Sequence, residues 1–165
     1  MKGFFNKALR INLKTKICKE ENILDSVHET YLGGKGLGIY LLLKENPPRV
    51  DPLSPQNKLI FCLGPVTDSR IYGSCRHGAF TKSPLTGIFS ESYSGGKAAE
   101  PMSRTGYDVF ILEQTSDEPV WIEISDQTVT FHDAKDLWGR EAYFTEDEVL
   151  RRMNQKGAAA LVIGP

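Results

Sequence analysis

Apolar and polar positions alternate from Lys7 to Leu13, where Leu9, Ile11 and Leu13 are separated by Arg10 and Asn12. A period of two is that of a strand with one buried face. Lys14-Thr15-Lys16 turns the chain, and Ile17 to Glu20 returns antiparallel. The period then lengthens. Asp25 caps a short helix through Tyr31, which stops at Gly33-Gly34. A second helix, from Lys35 to Glu45, is apolar on most faces, so its burial is expected, and Pro47-Pro48 ends it. Asp51 to Pro55 is a rigid connector, and Lys58 to Leu63 is a continuous apolar run typical of a central strand, closed by Gly64-Pro65. In that run Cys62 fills core volume.

The stretch from Gly73 to Gly96 has a strand-like core flanked by glycines, and Lys97 to Arg104 allows a short helix with Pro101 in its first turns. Three strands are expected at Val109 to Glu113, Val120 to Ser125 and Val129 to Asp133, the last two forming a hairpin around Asp126-Gln127. Thr145-Glu146-Asp147-Glu148 reads as a capping box opening a helix that runs to about Asn154 and ends at Gly157. Ala159 to Ile163 reads as a buried strand, followed by Gly164-Pro165. The pattern is α+β, with mixed or antiparallel sheets and short helices. LIFCLGP at Leu59 to Pro65 and ALVIGP at Ala160 to Pro165 share one design, a strand closed by Gly-Pro after a helical segment. That points to two similar half-domains, the second incomplete.

Length and composition narrow the classes. At 165 residues there is room for one domain, or two small subdomains. The formal charge of -1 argues against binding nucleic acid through a basic surface. The apolar run Leu37 to Leu43 is too short to span a bilayer, and no secretory leader is visible, so no membrane association and a cytoplasmic location are expected. Cys18, Cys62 and Cys75 are odd in number and widely spaced, which argues against a disulfide framework.

The chemistry concentrates between Gly73 and Gly96, where Arg76, His77 and Lys82 stand among five glycines. Glycine lets backbone approach a ligand, and arginine recognises phosphate or a planar polar heterocycle bidentately. This is either the wall of an anionic-cofactor site or a hairpin with a solvated basic turn. Gly33-Gly34-Lys35-Gly36-Leu37-Gly38 lacks a preceding strand, and Gly36 follows its lysine where a Walker loop needs Ser or Thr. It reads as a tight helix-to-helix turn rather than a nucleotide loop. Cys75 and His77 share a side of a strand, which permits a Cys–His couple, yet nothing identifiable orients the base. His28, His77 and His132 are far apart, and three scattered cysteines do not make an iron–sulfur site. Glu118, Asp133 and Asp136 fall in solvated turns. Residue chemistry alone favours binding over reaction.

ALRINLKT, YLGGKGLGIYLLLKE, VDPLSPQNKLIFCLGPVT, GSCRHGAFTKSPLTGIF, YSGGK, GYDVFILE and DLWGR, in that order, resemble the N-terminal domain of aldehyde ferredoxin oxidoreductases, a family of tungsten enzymes. The resemblance implies two similar α+β halves holding a bis-pterin cofactor of tungsten (or molybdenum), the metal bound through pterin sulfurs. It carries Arg76 onto the pterin-contacting arginine. Tyr93 falls on a position whose backbone carbonyl helps hold a Mg²⁺ between the pterin phosphates. Gly95 falls on a pterin-contacting glycine, and Gly96 continues the turn. Cys75 stands where relatives commonly carry Gly. By the same resemblance residues 1–165 are a pterin-binding domain that stops before its second cofactor loop, and no catalytic residue is assigned. The whole enzyme oxidises an aldehyde to a carboxylate and passes electrons through a [4Fe-4S] cluster, whose cysteine ligands this chain lacks, to ferredoxin. The expected partners are the remaining domains or a partner subunit. The alternative is a stand-alone, non-catalytic interaction module that kept the fold, lost the cofactor and self-associates.

Overall fold

The structure is a computed structural model that describes residues 2–165. Twelve elements follow one another: β1 (Lys7–Asn12), β2 (Ile17–Asn22), α1 (Asp25–Tyr31), α2 (Gly34–Glu45), β3 (Leu59–Leu63), β4 (His77–Lys82), β5 (Phe89–Ser94), α3 (Ala99–Arg104), β6 (Val109–Glu113), β7 (Val120–Ile124), β8 (Val129–Asp133) and α4 (Ala142–Met153). Six strands form one mixed sheet in the order β2-β1-β6-β3-β4-β5, and β7 and β8 form a separate hairpin. Only the β1–β6 pair in the large sheet is parallel; the others are antiparallel. The α+β class with a mixed sheet and short helices is therefore as the pattern indicates.

Strand alternation explains the two cores. On one face Ile60, Cys62, Phe80, Val109 and Ile111 pack under α2 through Leu37, Leu41 and Leu42. On the other, Leu9, Ile11, Leu63 and Phe110 pack against Ala99 and Met102 of α3 and against Ile122, Ile124, Val129 and Phe131 of the hairpin. The hairpin's remaining face carries Trp121, which joins Ala134, Leu137, Val149, Met153 and Ala160 in a small cluster beneath α4. Gly38 sits directly over the Phe80 ring: a Cβ there would lie 2.5 Å from Cε2. The approach of helix to sheet thus requires glycine.

Arg10 lies in the middle of β1, where a strictly alternating strand would point it to water. Instead it is mostly buried, because β1 is an inner strand flanked by acids from three elements. It donates to Glu21 of β2 (2.9 Å) and Glu113 of β6 (3.1 Å), and pairs with Glu45 at the end of α2 (3.1 Å).

Four local expectations need correction. The N-cap of α1 is Leu24, with no side-chain cap; Asp25 is the first helical residue and accepts from Asn6. Helix α2 is buried only on its sheet side, since Leu43 is exposed and Tyr31, Ile39 and Tyr40 line an open apolar groove of about 410 Å³. The capping box is absent: α4 begins at Ala142, so Thr145 lies inside its first turn and donates to Glu141 O, while Glu148 pairs with Arg151 and Arg152. No strand forms at Ala159 to Ile163: the segment carries no regular secondary structure and no ladder partner among the described residues, and Leu161 and Ile163 are exposed. Even so, its surroundings repeat an order. An antiparallel hairpin and then helix precede an apolar run closed by Gly-Pro first with β1, β2, α1, α2 and residues 59–65, and again with β7, β8, α4 and residues 160–165.

Candidate cofactor site

Arg76 immediately precedes β4, and Gly95 immediately follows β5, so the register decides whether they meet. His77 pairs with Ser94 and Gly78 with Tyr93, which brings residues 75–76 against 95–96 at one end of the hairpin. The contact is close. A Cβ on Gly95 would lie 3.1 Å from Arg76 Cζ, with Nη1 nearer still. Gly95 is therefore the floor on which the guanidinium lies, and any side chain would occupy its place. Gly96 has φ +87°, in the left-handed region that glycine adopts without strain, and turns the chain toward α3.

Two further contacts hold this turn. The Cys75 thiol donates to Gly96 O at 3.2 Å, which gives the unexpected cysteine a structural task. Thr67 accepts from Gly64 N and donates to Arg76 O, tying the β3–β4 connection back to the strand start. The Arg76 guanidinium itself is exposed and no acidic side chain pairs with it among the described residues, whereas Arg10, Arg104, Arg151 and Arg152 are all paired. An arginine laid on glycine, unneutralised and facing solvent, is equipped to take an anion or a planar polar ring.

Tyr93 lies on the α2 side of β5. Its ring covers Gly78, where a Cβ would be 3.2 Å from Tyr93 Cε1, and meets Phe80 edge-on at 6.0 Å. The Tyr93 hydroxyl donates to Glu91 at 2.9 Å, and partial burial together with this carboxylate pushes the phenol up to about 12. Lys35, in the first turn of α2, donates to the other oxygen of Glu91 at 2.7 Å and holds that carboxyl below its ordinary range.

The structure thus brings Arg76, Tyr93, Gly95 and Gly96 to one corner. It does not join Cys75 to His77: the thiol is committed to Gly96, and the buried His77 Nδ1 has no partner, with desolvation lowering its pKa. The other histidines are occupied elsewhere. His28 donates from Nδ1 to Leu32 O, and Nε2 lies 3.6 Å from Asp108. His132 meets Glu123 at 2.9 Å. Cys62 is fully enclosed in the core, which pushes its thiol far up. Of the acids expected to be solvated, Glu118 pairs with Lys135 and Asp136 with Arg152. Among the described residues no three His, Cys, Asp or Glu side chains converge as a metal-binding group, and no helix is long and apolar enough to cross a membrane.

Sequence reasoning missed Glu91 and Lys35. The glycine-rich motif around Lys35 was the available signal, but spacing alone gave no hint that this lysine reaches a strand 56 residues later. It also missed Asp108, whose carboxylate accepts from the backbone N–H of Phe5 and Lys7 and so fastens the chain's start to the sheet end.

Comparison with known proteins identifies the family. Residues 8–165 match the family described as aldehyde ferredoxin oxidoreductase, N-terminal domain. Over its whole length the chain is 39% identical to the tungsten-containing aldehyde ferredoxin oxidoreductases of Pyrococcus horikoshii and Pyrococcus abyssi, spanning 27% of each. It is 29% identical, over 95% of its length, to an aliphatic sulfonate oxidoreductase, WOR-like subunit, of Pyrococcus furiosus. Among solved structures, the active site complex BamBC of benzoyl coenzyme A reductase, with 1,5 dienoyl-CoA, superposes with a TM-score of 0.90 at 30% identity. That match covers 93% of this chain and 24% of the other. The chain spans about a quarter of the length of the curated relatives it matches, and with a fold and sequence shared along nearly all of its residues it belongs to the aldehyde ferredoxin oxidoreductase family, as an N-terminal domain.

Proposed function

We propose that this chain is the cofactor-binding N-terminal portion of a tungstopterin aldehyde:ferredoxin oxidoreductase. The observation that carries the reading is the unpaired Arg76 guanidinium lying on Gly95 beside the Gly96 turn. The residues fit the group. Arg76 supplies a fixed cationic fork for the pterin's polar ring or phosphate, and the bare backbone of Gly95-Gly96 lets that ligand come close. The Tyr93 carbonyl would be the oxygen donor to a Mg²⁺ accompanying the pterin, a role that depends on backbone oxygen and tolerates a tyrosine side chain. When bound, the tungsten (or molybdenum) pterin supplies the two-electron oxidation of an aldehyde to a carboxylate.

The [4Fe-4S] cluster and ferredoxin belong, in this reading, to the longer enzyme, because Cys18, Cys62 and Cys75 do not converge as a metal-binding group among the described residues. The remaining domains or a partner subunit supply the cluster, the substrate channel and the acid–base groups. Three free cysteines suit a reducing, cytoplasmic setting. The test is to produce the chain in a pterin-synthesising host supplied with tungstate. Tungsten is then measured by mass spectrometry and pterin by the fluorescence of its oxidised form. Cofactor retained by the wild type and lost in Arg76→Ala supports the proposal; equal content in both proteins refutes it.

A second reading, a self-associating interaction module without cofactor, is favoured by exposed Leu43, Tyr72, Leu85, Ile88 and Ile163. Sedimentation separates the two: a monomer at micromolar concentration that carries pterin removes this reading.

A further inference from the structure

The glycine-rich opening of α2 has no part in the cradle as described, yet one of its residues reaches it. Lys35 Nζ lies 2.7 Å from Glu91 Oε1, and the Tyr93 hydroxyl donates to Glu91 Oε2 at 2.9 Å. One carboxylate therefore links the first turn of α2 to the residue two places before Gly95. Glu91 and Tyr93 share the α2 side of β5, and Tyr93 is held from below as well, by Phe80 at its edge and by the gap above Gly78. On its other side β5 has no strand, because it is the edge of the six-stranded sheet. Edge strands fray from their free side, and the end of β5 is where the turn begins.

We infer that Glu91 is a positioning residue for the cofactor cradle: bridging Lys35 and Tyr93, it fixes the C-terminal end of β5 and with it the Gly95-Gly96 floor under Arg76. The inference rests on the reading of that corner as a cofactor site, but the clamp itself is a property of this chain's own residues. It also assigns the Gly33–Gly38 motif a task other than nucleotide binding. Close seating of α2 over Phe80, which Gly38 permits, is what brings Lys35 within reach of an edge strand.

The experiment is amide hydrogen exchange on the folded chain, comparing wild type with Glu91→Ala, Lys35→Met and Glu91→Gln. With the lysine ion pair and the tyrosine hydroxyl bond to the carboxylate both removed, exchange across residues 93–97 is expected to rise roughly tenfold in Glu91→Ala, and with the ion pair alone removed roughly threefold in Lys35→Met. Exchange in β3 and β6 stays unchanged, as a general loss of stability would move both regions together. Glu91→Gln, which keeps an oxygen for the Tyr93 hydroxyl, restores most of the protection. Unchanged exchange at 93–97 in Glu91→Ala, or an equal rise in β3 and β6, overturns the inference. Pterin content measured on the same proteins is expected to fall in Glu91→Ala. A wild type that holds no pterin brings down the cofactor reading instead, while the exchange result still decides the clamp.

Discussion

Gly38→Ala is the substitution for which general helix energetics and this structure give opposite signs. Alanine in place of glycine inside a helix ordinarily stabilises by about 0.5–1 kcal/mol. Here the new methyl would lie 2.5 Å from Phe80 Cε2 and 2.7 Å from Cγ, well inside contact distance. Phe80 is fully buried and has Tyr93 at 6.0 Å and Phe89 at 6.3 Å, so the ring cannot swing aside without disturbing β5. Overpacking of this kind costs roughly 1–3 kcal/mol. Net of the helix gain, the substitution costs up to about 2.5 kcal/mol, a fall in Tm of up to roughly 10 °C for a domain of this size. Thermal unfolding followed by circular dichroism measures it, and a double-mutant cycle with Phe80→Leu isolates the cause. In the Phe80→Leu background the cost of Gly38→Ala should vanish or become a gain. A Tm raised by Gly38→Ala alone, or a cost that persists without the Phe80 ring, would refute the argument that this contact seats α2.

Gly95→Ala is expected to change Tm by less than about 2 °C, because the atom displaced is the end of a flexible side chain, yet to lower pterin retention at least tenfold, the worth of one charge-assisted contact. Arg10→Met leaves Glu21, Glu45 and Glu113 facing one another and should cost about 2–3 kcal/mol in urea unfolding at pH 7. The deficit shrinks as pH falls below the ordinary carboxylate range and Glu21, which Arg10 holds low, takes up its proton; a constant deficit speaks against the electrostatic account. Glu148 is held down to about 2 by Arg151 and Arg152, so its ion pairs contribute above the ordinary carboxylate range and are lost as pH falls from there toward 2. Fluorescence of Trp121 and Trp138, which lie beside and before α4, should report loosening across that window, and Glu148→Gln should abolish the step.

Why some of this was legible and some not follows from how each feature is encoded. Strands β1, β3, β6, β7 and β8 are local patterns of period two or continuous apolar runs, and they stand where the pattern puts them; between Gly73 and Gly96 the pattern shows only a strand-like core, without the bounds of β4 and β5. The start of α4 was misplaced because Ala142-Tyr143-Phe144 is itself helical, which a Thr-x-x-Glu signal cannot reveal. Residues 159–163 carry a strand's sequence, but a strand exists only with a neighbour, and hydrogen-bonding partners are not a local property. The partial burial of α2 has the same origin: its composition is apolar all round, while the sheet covers one side. At the site, family resemblance supplied Arg76, Tyr93, Gly95 and Gly96, and residue chemistry alone had only reached a basic, glycine-rich wall. Glu91 and Asp108 escaped both routes, since each acts across a long sequence separation: Glu91 lies outside the resembling segments, and GYDVFILE contains Asp108 without revealing its partners.

The central claim is that the Arg76–Gly95 corner holds one side of a pterin. Its most direct measurement is the tungsten and pterin content of the wild-type chain and of Arg76→Ala, purified side by side from a tungstate-supplied host and shown by circular dichroism to be equally folded. The account predicts measurable cofactor in the wild type and at least tenfold less in the variant. Equal content in the two proteins would contradict it.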